Sequence, residues 1–204
     1  MKIPLSRPVF FGETVEEVKE VLQSGWWTTG PKVEEFEREF AKFVGSKYAV
    51  AVSSCTAALH IAIIISRMHT ISVADFTFPS AANSVLLLNK NLQLEDVDID
   101  TFNMDSFKVD SFKEKYRCAV VPTHIFGNPC DLDGVEGSEF FIIEDAACAV
   151  GSYYKGSHVG AFGDIGCFSF HPRKLLSTGE GGMLVTDIYC LLYTSPSPRD
   201  RTRS

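Results

Sequence analysis

No apolar run in the 204-residue sequence approaches the roughly 18–20 residues that a membrane-spanning helix needs. The longest, around LHIAIIIS, reads as a buried helix, so no membrane partner is expected. The N-terminus MKIPLSRP lacks an apolar signal core, and secretion is not indicated. A basic surplus is missing too: 19 Lys and Arg against 26 Asp and Glu leave a net charge of −7. That balance argues against a nucleic-acid partner, whose phosphates call for a basic field. The six cysteines (Cys55, Cys118, Cys130, Cys148, Cys167 and Cys190) include no C-x-x-C pair. They read as reduced, mostly buried thiols of a cytoplasmic protein, with neither a disulfide framework nor a zinc site. Walker A and G-x-S-x-G motifs are absent, and the glycines of GAFGDIG do not fit the dinucleotide fingerprint. Asp96, Asp98 and Asp100 begin like a calcium loop. Thr101 stands where such a loop needs glycine and Phe107 where it needs glutamate, so a solvated turn is expected and no metal.

The composition that remains, 45% hydrophobic and 22% charged, suits one globular domain with a substantial core. Val15, Val18, Val21 and Leu22 recur at helical spacing, and Gly25 supplies a stop. Val33, Phe36, Phe40, Phe43 and Val44 repeat the pattern after Pro31, ending at Gly45. The link GWWTTGP carries both tryptophans; they are expected to pack on the two helices, the alternative being exposed rings that serve a ligand or partner. From Lys47 onward the pattern turns to β/α. YAVAV is a buried strand followed by a helix, and further strands are expected at Leu92–Leu94, Cys118–Val121, Phe140–Ile143, Gly166–Phe170 and Met183–Val185. Short apolar strands alternating with helices predict an α/β fold: a mostly parallel sheet with helices on both faces. Ligands of such sheets gather at the carboxyl ends of strands, where the polar motifs of this chain fall.

Each of those motifs has a plain reading beside a chemical one. Asp145, at the end of the apolar run FFIIED, is a ligand partner or a helix N-cap. Small residues between YAVAV and the next helix make a phosphate seat, since backbone N–H groups at a helix start are unpaired; capping by Ser54 or Thr56 is the alternative. Phe78 is a stacking face or a core ring. His124 is an active-site neighbour or a satisfied structural histidine. Lys174 alone would be a solvated surface lysine.

In combination these segments change the odds. GDIGCFSFHPRKLLSTGEGGMLVT (163–186), FFIIEDAACAVG (140–151), AVAVSSCTAALH (49–60), DFTFPSAANSV (75–85) and VVPTHIFGNPCDLD (120–133) resemble, in order and spacing, the DegT/StrS sugar aminotransferases. The resemblance implies the large domain of the fold type I transferases, with pyridoxal 5'-phosphate as cofactor. By the match, Lys174 binds the cofactor covalently and shuttles a proton, and Asp145 pairs with the pyridinium nitrogen. Thr56 and Ser169 would hold the phosphate with the backbone of Cys55 and Ala57, Phe78 would stack on the ring, and Cys148 would lie close to it. The implied reaction moves an amino group from an amino acid, glutamate, to a nucleotide-linked keto-sugar, in polysaccharide or amino-sugar biosynthesis. A dehydratase branch carries histidine in place of the lysine, so Lys174 favours amino transfer.

Departures are also plain. Cys55 stands where the family has glycine, and Cys148 where it has Gln or His. IISRMHTISVADF and DLDGVEGSEFFII are both shorter than their counterparts. The family's C-terminal small domain has no equivalent, so residues 1–187 are expected to be a truncated large domain. Residues 188–204, rich in Pro, Ser and Arg, are expected to be a non-native or disordered tail. A homodimer is expected for the whole protein. A non-catalytic or regulatory relative, or an inactive fragment, remains the alternative.

Overall fold

The structure, a computed structural model, describes residues 8–9, 11–106, 109, 118–135 and 140–189. Two helices, α1 (Gly12–Ser24) and α2 (Pro31–Val44), lead into the first strand, β1 (Tyr48–Val52). Then come α3 (Cys55–Ser66), β2 (Thr70–Ala74), α4 (Ser80–Leu87), β3 (Asn91–Glu95), β4 (Cys118–Val121) and β5 (Phe141–Asp145). A small hairpin, β6 (Tyr153–Tyr154) and β7 (Ser157–His158), precedes β8 (Ile165–Ser169) and β9 (Gly182–Thr186). The seven strands of the main sheet run in the order β1-β9-β8-β5-β4-β2-β3. Only β9 is antiparallel to its neighbours, β1 and β8. The parallel strands therefore all end on one edge, which is also where β9 begins.

Burial on both faces explains the continuous apolar runs that mark β4 and β8, in which every residue is buried. On one face α3 presses Ala58, Leu59, Ala62 and Ile63 against Ile71, Val121, Ile143 and Ile165. On the other, Phe40 and Val44 of α2 meet Phe168, Phe170, Met183 and Val185. The Phe40 ring stands edge-on to Phe168 and Phe170 at 5.0 and 5.3 Å between centroids, a favoured aromatic geometry.

The shortened segments are absorbed locally. Arg67 takes a left-handed conformation (φ 59°) to end α3, so that β2 starts three residues later. Among the described residues no α-helix lies between β4 and β5; Cys130, Leu132 and Val135 cover that part of the sheet instead, packed on Val120 and Ala74. β2 is a strand that apolar runs do not mark, because Ser72 interrupts it. Its fully buried hydroxyl donates to Glu95 at 2.7 Å. The acidic turn holds itself: Asp98 Oδ1 accepts the N–H groups of Asp100 and Thr101 at 3.0 and 2.9 Å. Its Phe107 lies outside the described residues.

One expectation, the packing of the tryptophans on the two helices, is corrected here. No residue of α1 is buried, and its apolar stripe of Val15, Val18 and Leu22 faces outward. Trp26 and Trp27 do not pack between the helices but stay 58% and 72% exposed. Each indole instead donates to a nearby carbonyl, Trp26 to Thr29 and Trp27 to Leu22, which fixes the rings without burying them. At the other end of the chain, Asp187 accepts from the Lys47 N–H at 2.8 Å and ties the exit of β9 to the entry of β1. The expected tail falls almost wholly on residues 190–204, outside those described.

Candidate active site

The polar motifs converge on the edge where the parallel strands end. Asp145 is the last residue of β5 and is 3% exposed. One carboxylate oxygen, Oδ1, accepts the Ala147 N–H at 3.1 Å and the Cys55 thiol at 3.8 Å. The other takes no hydrogen bond among the described residues. It is not sealed either, since among the described residues no fully buried side-chain oxygen lacks a partner. Burial pushes the Asp145 carboxyl above its usual range, against the pull of the Ala147 N–H and the Lys174 charge. A buried carboxylate with so little compensation suits a cationic guest. Burial, with the charge of Asp145, also drives the Cys55 thiol well up, so it stays protonated and can donate.

Its sequence neighbour behaves in the opposite way. Glu144 is fully buried and accepts the N–H groups of Gly160, Phe162 and Gly163 at 2.7–2.8 Å. His124 Nε2 lies 2.9 Å from the same carboxylate. His124 Nδ1 accepts the Cys130 N–H at 2.9 Å, so the ring proton sits on Nε2 and is donated to Glu144. Burial alone would push Glu144 up, but the His124 hydrogen bond and the amides outweigh it and hold the group below its usual range. The His124 side chain, fully buried and doubly bonded, thus braces β5 from within. Its backbone N–H donates to the Asp145 carbonyl at 3.0 Å.

The helix α3 opens beside Asp145. Ser54 caps it by accepting the Ala57 N–H at 3.1 Å, so that amide is committed. The N–H groups of Cys55 and Thr56 are left at the mouth, as helix geometry requires. Gly182 brings Ser169 to the same place. It pairs with Val52 on one side and Ser169 on the other. A Cβ on Gly182 would lie 2.4 Å from the Ser54 carbonyl carbon and 2.6 Å from the Cys55 nitrogen, so only glycine lets the helix mouth seat against the sheet. Sequence reasoning passed over Gly182, whose signal was only the glycine pair ahead of MLVT. Gly182→Ala is accordingly expected to displace the start of α3 and to cost ~1–3 kcal/mol of stability, measured by urea denaturation; unchanged stability would contradict this packing.

Phe78 follows β2 with its ring 69% exposed. Thr77 beside it is hydrogen-bonded to Thr123 at 3.0 Å, and Thr123 is bridged to Asp145, which holds the Phe78 loop near the carboxylate. Lys174 lies beyond Ser169 in a turn closed by its N–H to the His171 carbonyl at 2.8 Å. Its Nζ donates to Cys148 Sγ at 3.0 Å. Both side chains line a cleft of about 1140 Å³ that Phe126, Ser152 and Arg173 also reach. The structure thus brings Lys174 to Cys148, and Asp145 to Cys55, Ser169 and Thr56 around the α3 mouth. The Lys174–Cys148 contact joins residues far apart in sequence that the family resemblance places beside the same cofactor ring.

Comparison with known proteins follows the same line. The sequence signature of the DegT/DnrJ/EryC1/StrS aminotransferase family matches residues 11–188. The chain belongs to this family. It is 43% identical over 192 residues to the spore coat polysaccharide biosynthesis protein SpsC of Bacillus subtilis, covering 91% of this chain and 49% of that protein. Among solved structures it is similar to the sugar aminotransferase Spr1654 of Streptococcus pneumoniae in its PLP form (TM-score 0.83, 27% identity, 94% of this chain and 54% of that one). It is likewise similar to DesI in the presence of its TDP-sugar product (TM-score 0.82, 28% identity, 91% of this chain and 49% of that one). The chain spans about half the length of the relatives it matches. The mostly parallel sheet is thus that of the fold type I transferases. Among the described residues no helix is long and apolar enough to cross a membrane.

Proposed function

We propose that this chain is the cofactor-binding large domain, residues 1–187, of a pyridoxal-phosphate-dependent aminotransferase. It transfers an amino group from an amino acid, glutamate, to a keto group of a nucleotide-linked sugar, in the cytoplasm and for polysaccharide biosynthesis. One observation carries the reading: an under-compensated buried carboxylate, a helix mouth and a cleft lysine meet at one sheet edge. Family membership and the TDP-sugar product of the similar DesI support it.

The residues present fit the cofactor. Asp145 offers its unpaired oxygen to a protonated ring nitrogen, and the cation relieves the cost of burying the carboxylate. Thr56, Ser169 and the amides of Cys55 and Thr56 are suited to the phosphate. Phe78 offers an exposed face for stacking, and Cys148 holds the lysine amine beside the ring site. When bound, the cofactor supplies an electron sink for the carbon that exchanges its amine. The chain's part is to hold that sink charged through Asp145 and to move the substrate's proton at Lys174 Nζ. The homodimer belongs to the same reading and is tested by light scattering.

Asp145→Asn separates these roles. Removing a charge that burial disfavours is expected to leave the cofactor-free protein as stable or more stable, while cofactor affinity falls by about tenfold to a hundredfold. Thermal melts with and without pyridoxal phosphate check both halves; a destabilised cofactor-free variant with intact affinity would contradict the assignment. The function is tested by adding pyridoxal phosphate and following visible absorbance before and after borohydride, then amino transfer to keto-sugar nucleotides. A protein that takes up cofactor yet transfers no amine to any of them would point to a regulatory relative.

A further inference from the structure

We infer that Arg173 is a specificity-determining residue that binds an oxyanion of the substrate in the Lys174 cleft; this rests on the cleft being the substrate site. The chain as a whole carries −7, and its acids outnumber its bases. The cleft reverses that balance. Among the described residues its charged lining consists of Arg173 and Lys174, with no Asp or Glu. Much of the rest is apolar, including Phe126, Val150 and Leu175. Two cations lining one cleft act on an anion together, more strongly than either would alone on open surface.

The two cations are not equivalent. The Lys174 amine is engaged with Cys148 and is assigned to the cofactor. The Arg173 guanidinium makes no hydrogen bond or ion pair among the described residues, and only its backbone N–H is held, by His171 Nδ1 at 3.2 Å. That bond fixes the turn from which the side chain departs. Its planar fork fits a pair of oxygens on one carboxylate or phosphate, a match that a lysine ammonium cannot reproduce. The oxyanion comes from one of two sources in the proposed reaction, the carboxylate of the amino donor or the diphosphate of the sugar nucleotide.

Calorimetric titration of the pyridoxal-phosphate-loaded protein distinguishes them. One arm uses a nucleoside diphosphate (TDP, UDP or GDP), the other 2-oxoglutarate, each against the unmodified protein, Arg173→Gln and Arg173→Lys. The expected result is binding in at least one arm that weakens by about tenfold or more in Arg173→Gln, with only partial recovery in Arg173→Lys. The arm that responds names the source. Binding that is unchanged in Arg173→Gln, or absent from the unmodified protein in both arms, would overturn the inference. Cofactor uptake, read separately by absorbance, tells that failure apart from a failure of the aminotransferase reading.

Discussion

Lys174→Ala is expected to abolish covalent capture of pyridoxal phosphate and to lower amino transfer by at least ~10²–10⁴-fold, the usual worth of a positioned proton-transfer group. Among the described residues Lys174 is the only lysine lining the cleft. Its amine is placed in the cleft by a turn that follows β8 and by contact with Cys148. Among the described residues that line the cleft none offers a second amine: Arg173 carries a guanidinium and Cys148 a sulfur. The variant should fold normally, because the side chain is only half-buried. Absorbance with borohydride trapping reads the first effect and a coupled transaminase assay the second. Retained activity within tenfold would remove Lys174 from the chemistry.

The second large effect is on stability. Glu144→Ala is expected to cost ~3–5 kcal/mol, the range for breaking a buried charged network. The substitution strands the N–H groups of Gly160, Phe162 and Gly163 together with His124 Nε2, of which Gly160 and His124 are buried and the other two half-buried. A loss of that size is a large fraction of the ~5–15 kcal/mol that holds a typical domain together. Urea denaturation should show a sharply lower midpoint, and a loss below ~1 kcal/mol would mean the network is not coupled to folding. The sign of the pH dependence follows from the lowered Glu144 group. Its stabilisation is complete above the ordinary carboxylate range and is lost as pH falls through the folded-state value. Asp145, raised by burial, acts oppositely: its ionised form costs stability, and acid removes that cost. The Glu144 variant should therefore lose part of the acid sensitivity of the unmodified protein.

Most of the fold was legible because the sheet is buried on both faces, which forces continuous apolar runs such as CAVV in β4 and IGCFS in β8. Where a strand carries a buried polar partner the signal fails, as at Ser72 in β2, whose counterpart Glu95 lies on β3. Helical periodicity located α1 but could not say that its apolar stripe faces away from this core. The site was legible as types in order: a carboxylate ending a strand, a small-residue turn opening a helix, a lysine after an F-S-F-H strand. Contacts that cross the sheet were not. The His124–Glu144 pair, the thiol bond from Cys55 to Asp145 and the seat that Gly182 provides for α3 all depend on strand order, which local patterns do not encode. Cys55 shows the consequence. Met as a departure from a family glycine, it proves to be a protonated donor to the carboxylate at the centre of the site.

Peptide mapping after borohydride reduction in the presence of pyridoxal phosphate tests the central claim most directly. The account predicts one phosphopyridoxyl group per chain, carried by Lys174 and blocked in Lys174→Ala. Absence of the label, or its scatter over surface lysines such as Lys19, Lys47 and Lys155, would contradict it.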